Sequence, residues 1–263
     1  MEEFFKSNTL KEWVGGILRT HMSVGTVSLF TRANRPKNAG THCLTCPIEE
    51  KCLYTAKRIY ITHALKNPRR GTGWPASVLV PDIEDYPASK REEAILNALS
   101  PAKNSNYSRC VWDIPDNDIC ENQTVTFTFD SGMIATMSMI ATGDAASKRF
   151  LTIYGTHGEL HADEETKEIM VRTFADDTKR TYRPQPGGPG GAGDSHGGGD
   201  YGLMKAYVDA LWMVEREGMT VHEARVEALG VEIDDVEEGH RAIWIAEKSR
   251  KSGRVVKWDK NLE

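Results

Sequence analysis

Residues 123–141 read QTVTFTFDSGMIATMSMIA, and no other stretch restricts the fold so tightly. Val125, Phe127 and Phe129 alternate with Thr124, Thr126 and Thr128. After Asp130-Ser131-Gly132, Met133, Ala135, Met137 and Met139 alternate with Ile134, Thr136 and Ser138. An extended chain sends successive side chains to opposite faces, whereas a helix repeats every 3.6 residues and would scatter these apolar groups around its circumference. The stretch predicts a β-hairpin closed by a glycine turn. A two-stranded ribbon is marginal in water, so further strands are required. Phe150–Tyr154 and Leu160–Ala162 supply two around Gly155-Thr-His-Gly158. Ile169–Phe174 and Arg180–Arg183 add two more, and Arg254–Trp258 is a last one. Short turns rather than helices join the consecutive strands, which predicts antiparallel pairing.

Helices are expected on both sides of this region. Upstream, Leu53–Leu65 repeats apolar residues at helical spacing and Ala88–Leu99 is amphipathic between Pro87 and Pro101. Val24–Phe30 and Ser77–Val80 read as strands. Downstream, Leu203, Ala206, Tyr207, Ala210, Leu211 and Val214 form one stripe, followed by helical runs at Thr220–Leu229 and from about Asp234 to Lys251. The expected fold class is α+β, an open and mostly antiparallel sheet with helices packed on one face. Met133, Met137 and Met139, with Phe127, Phe129 and Trp112, would give that sheet an apolar surface needing a partner, so a homo-oligomer is expected through the sheet face.

Hydrophobic residues at 39% suffice for a core. A net charge of −5 and a pI near 5.9 give no electrostatic reason to expect nucleic acid or an anionic membrane. No apolar run approaches a membrane span. The start, MEEFFKSNTLKEW, has no apolar core of a signal peptide. A cytoplasmic setting is therefore expected, with the five cysteines as thiols or metal ligands. Cys43-Leu-Thr-Cys46 is a CxxC knuckle, Cys52 follows, and Cys110 is a candidate fourth ligand. That spacing suits structural tetrahedral zinc, with His42 as an alternative ligand. The competing reading is thiols that pack as small hydrophobes. Cys120 falls outside the set.

HGGGDYGLMKAYVDAL, residues 196–211, raises the question of a phosphate cradle. A dinucleotide fingerprint needs a strand, then G-x-G-x-x-G, then a helix. Here the preceding PQPGGPGGAGDS cannot be a central strand, and Gly197, Gly198 and Gly199 are contiguous. Asp200 is expected to cap the helix, where a carboxylate competes with any anion. Gly71-Thr-Gly73 is followed by Trp74-Pro75 and starts no such helix.

Several segments together resemble the C-terminal domain of the Gfo/Idh/MocA family of NAD(P)-dependent oxidoreductases. They are GTHGEL (155–160), HGGGDYGLMKAYVDAL (196–211) and GHRAIWIAEKSRKSGRVVKW (239–258). HCLTCPIEEKCLYTAKRIY (42–60), WPASVLVPDIED (74–85) and RCVWDIPDND (109–118) resemble a cysteine-rich branch of that family. The resemblance implies residues 1–23 as the remnant of an upstream segment. It implies 24–263 as the C-terminal-like domain, with a Cys-rich insert at 42–60. It also implies His196 and Asp200 as substrate-binding residues on the substrate side of the sheet. His157 is expected at a solvated turn tip, with His222 and His240 on the surface.

The family's nucleotide fingerprint, catalytic lysine and His–Asp pair have no counterpart in this sequence. No catalytic residue is therefore assigned, and NAD(P) is expected to belong to the family without binding this chain alone. The expected role is the substrate or oligomerisation part of an oxidoreductase acting on a sugar or other small hydroxylated molecule, inactive by itself. A separate Rossmann-domain chain is a possible partner. The alternative is a non-catalytic dimerisation or scaffold module, stabilised by zinc.

Overall fold

The computed structural model describes residues 16–103, 105–113, 117–143, 148–184, 198–230 and 233–258. The chain divides into two compact units, one of residues 1–25 and 122–263 and one of residues 26–121.

The expected α+β character holds in the first unit, where the strands fall into two four-stranded sheets. One has the order β3-β2-β1-β8, built from β1 (Leu18–Thr26), β2 (Asn122–Phe129), β3 (Ile134–Ile140) and β8 (Val256–Lys257). The hairpin β2–β3 pairs antiparallel with Val125 opposite Met137 and Phe127 opposite Ala135. β1 joins β8 antiparallel, with His21 opposite Val256. The contacts of β1 with β2 run in opposite order along the two strands. Ile17 N–H donates to Asp130 Oδ1 at 2.7 Å, and Gln123 Nε2 donates to Ser23 Oγ at 3.0 Å.

The second sheet is a meander of β4 (Phe150–Tyr154), β5 (Gly158–Asp163), β6 (Glu168–Thr173) and β7 (Thr178–Tyr182), antiparallel throughout. Gly158 is required at its place. A Cβ there would lie 2.3 Å from the carbonyl oxygen of Arg172 on β6.

The buried groups of this unit include His21, Ser23, Val125, Ala224, Ile245 and Ser249. Ser249 ties a helix to the sheet. Its Oγ accepts from the Ser23 N–H at 2.9 Å and donates to the Arg254 carbonyl at 2.6 Å. β1 begins six residues before the strand expected from Val24. Its buried-face positions are His21 and Ser23, so polarity does not alternate as it does in β2.

The second unit is built from short turns around an apolar core of Ala56, Ile61, Ala64, Ala76, Val80, Ile83, Ile95 and Leu99. A π-helix spans Arg58–Leu65, α1 is Ala76–Leu79 and α2 is Ala88–Ala98. α2 matches the expected amphipathic helix. The expected strand at Ser77–Val80 is instead the single turn α1, because a four-residue apolar run has no period that separates strand from helix.

Three helices complete the first unit. They are α3 (Gly199–Glu217), α4 (Val221–Leu229) and α5 (Ile233–Ser252). Thr220 and Glu223 form a reciprocal capping box at the start of α4, each side chain bonding the other's backbone N–H. No helix among the described residues is long and apolar enough to cross a membrane.

Candidate functional site

The glycine run enters α3 through Gly198, which is the N-cap and has φ 90°. That left-handed backbone favours glycine. Asp200 is therefore not the N-cap expected from the sequence. It lies in the first turn, where a carboxylate still complements the helix dipole. His196 lies outside the described residues. The expected apolar stripe of α3 is helical as read, but no residue of α3 is buried. Leu203, Tyr207 and Leu211 are all exposed. The side chains of His157, His222 and His240 are exposed, as expected.

The cysteines converge in the second unit. Cys43 opens the 3-10 turn Cys43–Thr45, and the Cys46 N–H closes it on the Cys43 carbonyl at 3.1 Å. Cys52 closes the next such turn on Glu49, also at 3.1 Å. Cys110 comes from a distant segment. An isolated antiparallel bridge pairs His42 with Arg109, and the Cys110 N–H donates to the Thr41 carbonyl at 2.8 Å. The Gly40 N–H points at the Cys46 sulfur, 3.2 Å away.

Cys43, Cys46, Cys52 and Cys110 thus line one small cavity with His42, Tyr54 and Trp112. A water-sized sphere can be centred in about 20 Å³ of it, room for a single occupant. Burial pushes the Cys43 thiol up, against a backbone hydrogen bond from Ala56, and the Cys52, Cys46 and Cys110 thiols push it further. His42 Nε2 and Trp112 Nε1 are buried with no hydrogen-bond partner among the described residues. Cys120 does not line the cavity, and no disulfide joins any of the five cysteines. The zinc expectation gains no support from the arrangement as it stands. Among the described residues, no three His, Cys, Asp or Glu side chains are placed to hold a metal ion.

Trp112, expected with Phe127 and Phe129 on a sheet surface, belongs to the second unit, whereas those two belong to the first. It sits on the 3-10 turn Val111–Asp113 and packs against Phe30 and Tyr54, with ring centroids 5.9 and 5.6 Å away. Phe30 is held by Glu121. The Glu121 carboxylate accepts the N–H of Phe30 at 2.6 Å on one oxygen. On the other it accepts those of Leu29 at 2.7 Å and Ser28 at 3.0 Å. Burial opposes the charge of Glu121. The three backbone donors outweigh it and hold the carboxyl below the ordinary 4.5. No local pattern marks Glu121, because its partners lie at the far end of the unit's chain.

His21 is fully buried on β1, stacked on Trp258 at 5.8 Å and edge-on to Phe127 at 5.1 Å. Neither ring nitrogen has a hydrogen-bond partner among the described residues, and burial lowers its pKa below the ordinary 6.5.

No protein-family model and no curated protein matches the chain. Solved structures of NAD-binding oxidoreductases resemble it over about half its length. One is an NAD binding oxidoreductase from Klebsiella pneumoniae, with a TM-score of 0.36 and 20% identity over 55% of this chain and 39% of that one. Another is levoglucosan dehydrogenase in complex with NADH and levoglucosan, with a TM-score of 0.36 and 13% identity over 54% of this chain and 40% of that one. The matched region spans about two fifths of those proteins. A likeness at this level assigns neither a site nor a substrate to this chain.

Proposed function

We propose that this chain is the sheet-bearing, substrate-side part of an oxidoreductase of the Gfo/Idh/MocA kind, acting on a sugar-like or other small hydroxylated molecule. The reading draws on the sequence segments that resemble the family. One structural observation carries it: among the described residues, every strand pair with an established register is antiparallel. The pyrophosphate cradle of a dinucleotide fold is built where a parallel strand turns into a helix, and hydride transfer needs a held cofactor. In this reading NAD(P) is bound by a Rossmann domain outside residues 16–258, and His196 and Asp200 contact the substrate's hydroxyls. Titration of the pure chain with NAD(H) and NADP(H) tests this. No binding tighter than millimolar is expected, and a micromolar Kd would refute it.

A second reading, a dimerisation or scaffold module, is favoured by the uncovered apolar residues. Leu203, Met204, Tyr207, Val208, Leu211 and Trp212 on α3 are exposed, as are Ile134 and Met137 on β3. The residues on α3 fall at helical spacing, and an apolar helix stripe left exposed calls for a partner. Light scattering across a concentration series gives the mass. A monomer at all concentrations would remove the self-association reading and leave a separate Rossmann-domain chain as the partner.

A further inference from the structure

We propose that Cys43, Cys46, Cys52 and Cys110 together bind one soft divalent cation of the zinc class, with His42 beside the site. The backbone brings the four thiols to one place. Two successive 3-10 turns present Cys43, Cys46 and Cys52, and the His42–Arg109 bridge with the Thr41–Cys110 hydrogen bond brings up the fourth. No carboxylate lines the cavity they share. An all-sulfur donor set selects zinc or an iron–sulfur cluster over calcium, magnesium or manganese. Zinc takes four such ligands around one ion, and a CxxC turn with two further cysteines supplies that number.

The Gly40 N–H directed at the Cys46 sulfur is a donor suited to a thiolate. The sulfurs do not yet surround a common point, so binding must draw them inward and release their protons to solvent. The result would clip the turns of the cysteine loop to the Cys110 segment. In a unit made largely of short turns, that link replaces missing helix and sheet. Cys43 and Leu44 already pack on the core of the unit, so the clip would be continuous with it.

The test uses the full chain, expressed in zinc-supplemented medium and purified without chelator. Elemental analysis should find one zinc per chain. Cys43→Ser and Cys110→Ser should each lose it, while Cys120→Ser keeps it. Cobalt added to the chelator-treated wild type should give thiolate-to-metal charge-transfer absorption and protect four thiols from a thiol reagent. This readout stands if the serine variants fail to fold. Less than half an equivalent of zinc, retention of zinc in both cysteine variants, iron in place of zinc, or cobalt that protects no thiols would each overturn the proposal.

Discussion

Replacing Glu121 by glutamine should unsettle the turn that carries Phe30. The carboxylate is 5% exposed and accepts three backbone N–H groups, one on Oε1 and two on Oε2. A glutamine has one oxygen. Its better orientation keeps the oxygen against Ser28 and Leu29 and turns the NH2 toward the Phe30 N–H, donor against donor. An orphaned buried donor costs about 1–3 kcal/mol, and the two surviving bonds lose their charge assistance, worth about 0.5–1 kcal/mol each. The expected loss is roughly 2–5 kcal/mol. Urea unfolding followed by tryptophan fluorescence suits this measurement, because Phe30 packs directly on Trp112. The dependence on pH has a fixed sign. The folded carboxyl titrates below the ordinary 4.5, so its contribution is complete above pH 4.5 and is lost as pH falls through the folded value. The variant should be less sensitive to acid than the parent. A stability within about 0.5 kcal/mol of the parent at pH 7 would refute the three-donor account.

Two further outcomes follow from the first unit. His21 is held neutral by burial, so above pH 6.5 its contribution is constant. As pH falls below 6.5 the unfolded chain takes up a proton that the folded chain resists, and stability drops. His21→Phe should remove that component and, by eliminating two unpartnered nitrogens, raise stability at pH 6 by about 1 kcal/mol. Melts at pH 5.5 and 8 that shift equally in parent and variant would count against it. Gly158→Ala places a Cβ against the Arg172 carbonyl and must push β5 from β6, at about 1–3 kcal/mol and several degrees of Tm. An unchanged melting temperature would show that the strands separate freely.

Much of the architecture is written locally. The alternation of residues 123–141 gives the β2–β3 hairpin and its face pattern, with Val125 and Phe127 on the side of Met137 and Ala135, while the exact register is read from the folded pairing. The turn at 155–158 is legible from its two glycines, and α2 from its helical spacing between Pro87 and Pro101. The clustering of Cys43, Cys46 and Cys52 is also readable from their spacing.

Other features are decided only by the folded chain. His21 and Ser23 occupy the buried face of β1 because Trp258 and Ser249 arrive from the other end of the sequence. Glu121 closes the Ser28–Phe30 turn across the whole length of its unit, and Trp112 packs on Phe30 and Tyr54. The stripe on α3 is apolar in sequence, yet what covers it is no property of the helix. Local periodicity reports which side of an element is apolar. What that side meets, and whether a buried polar atom finds a partner, depends on groups that only the tertiary structure brings near.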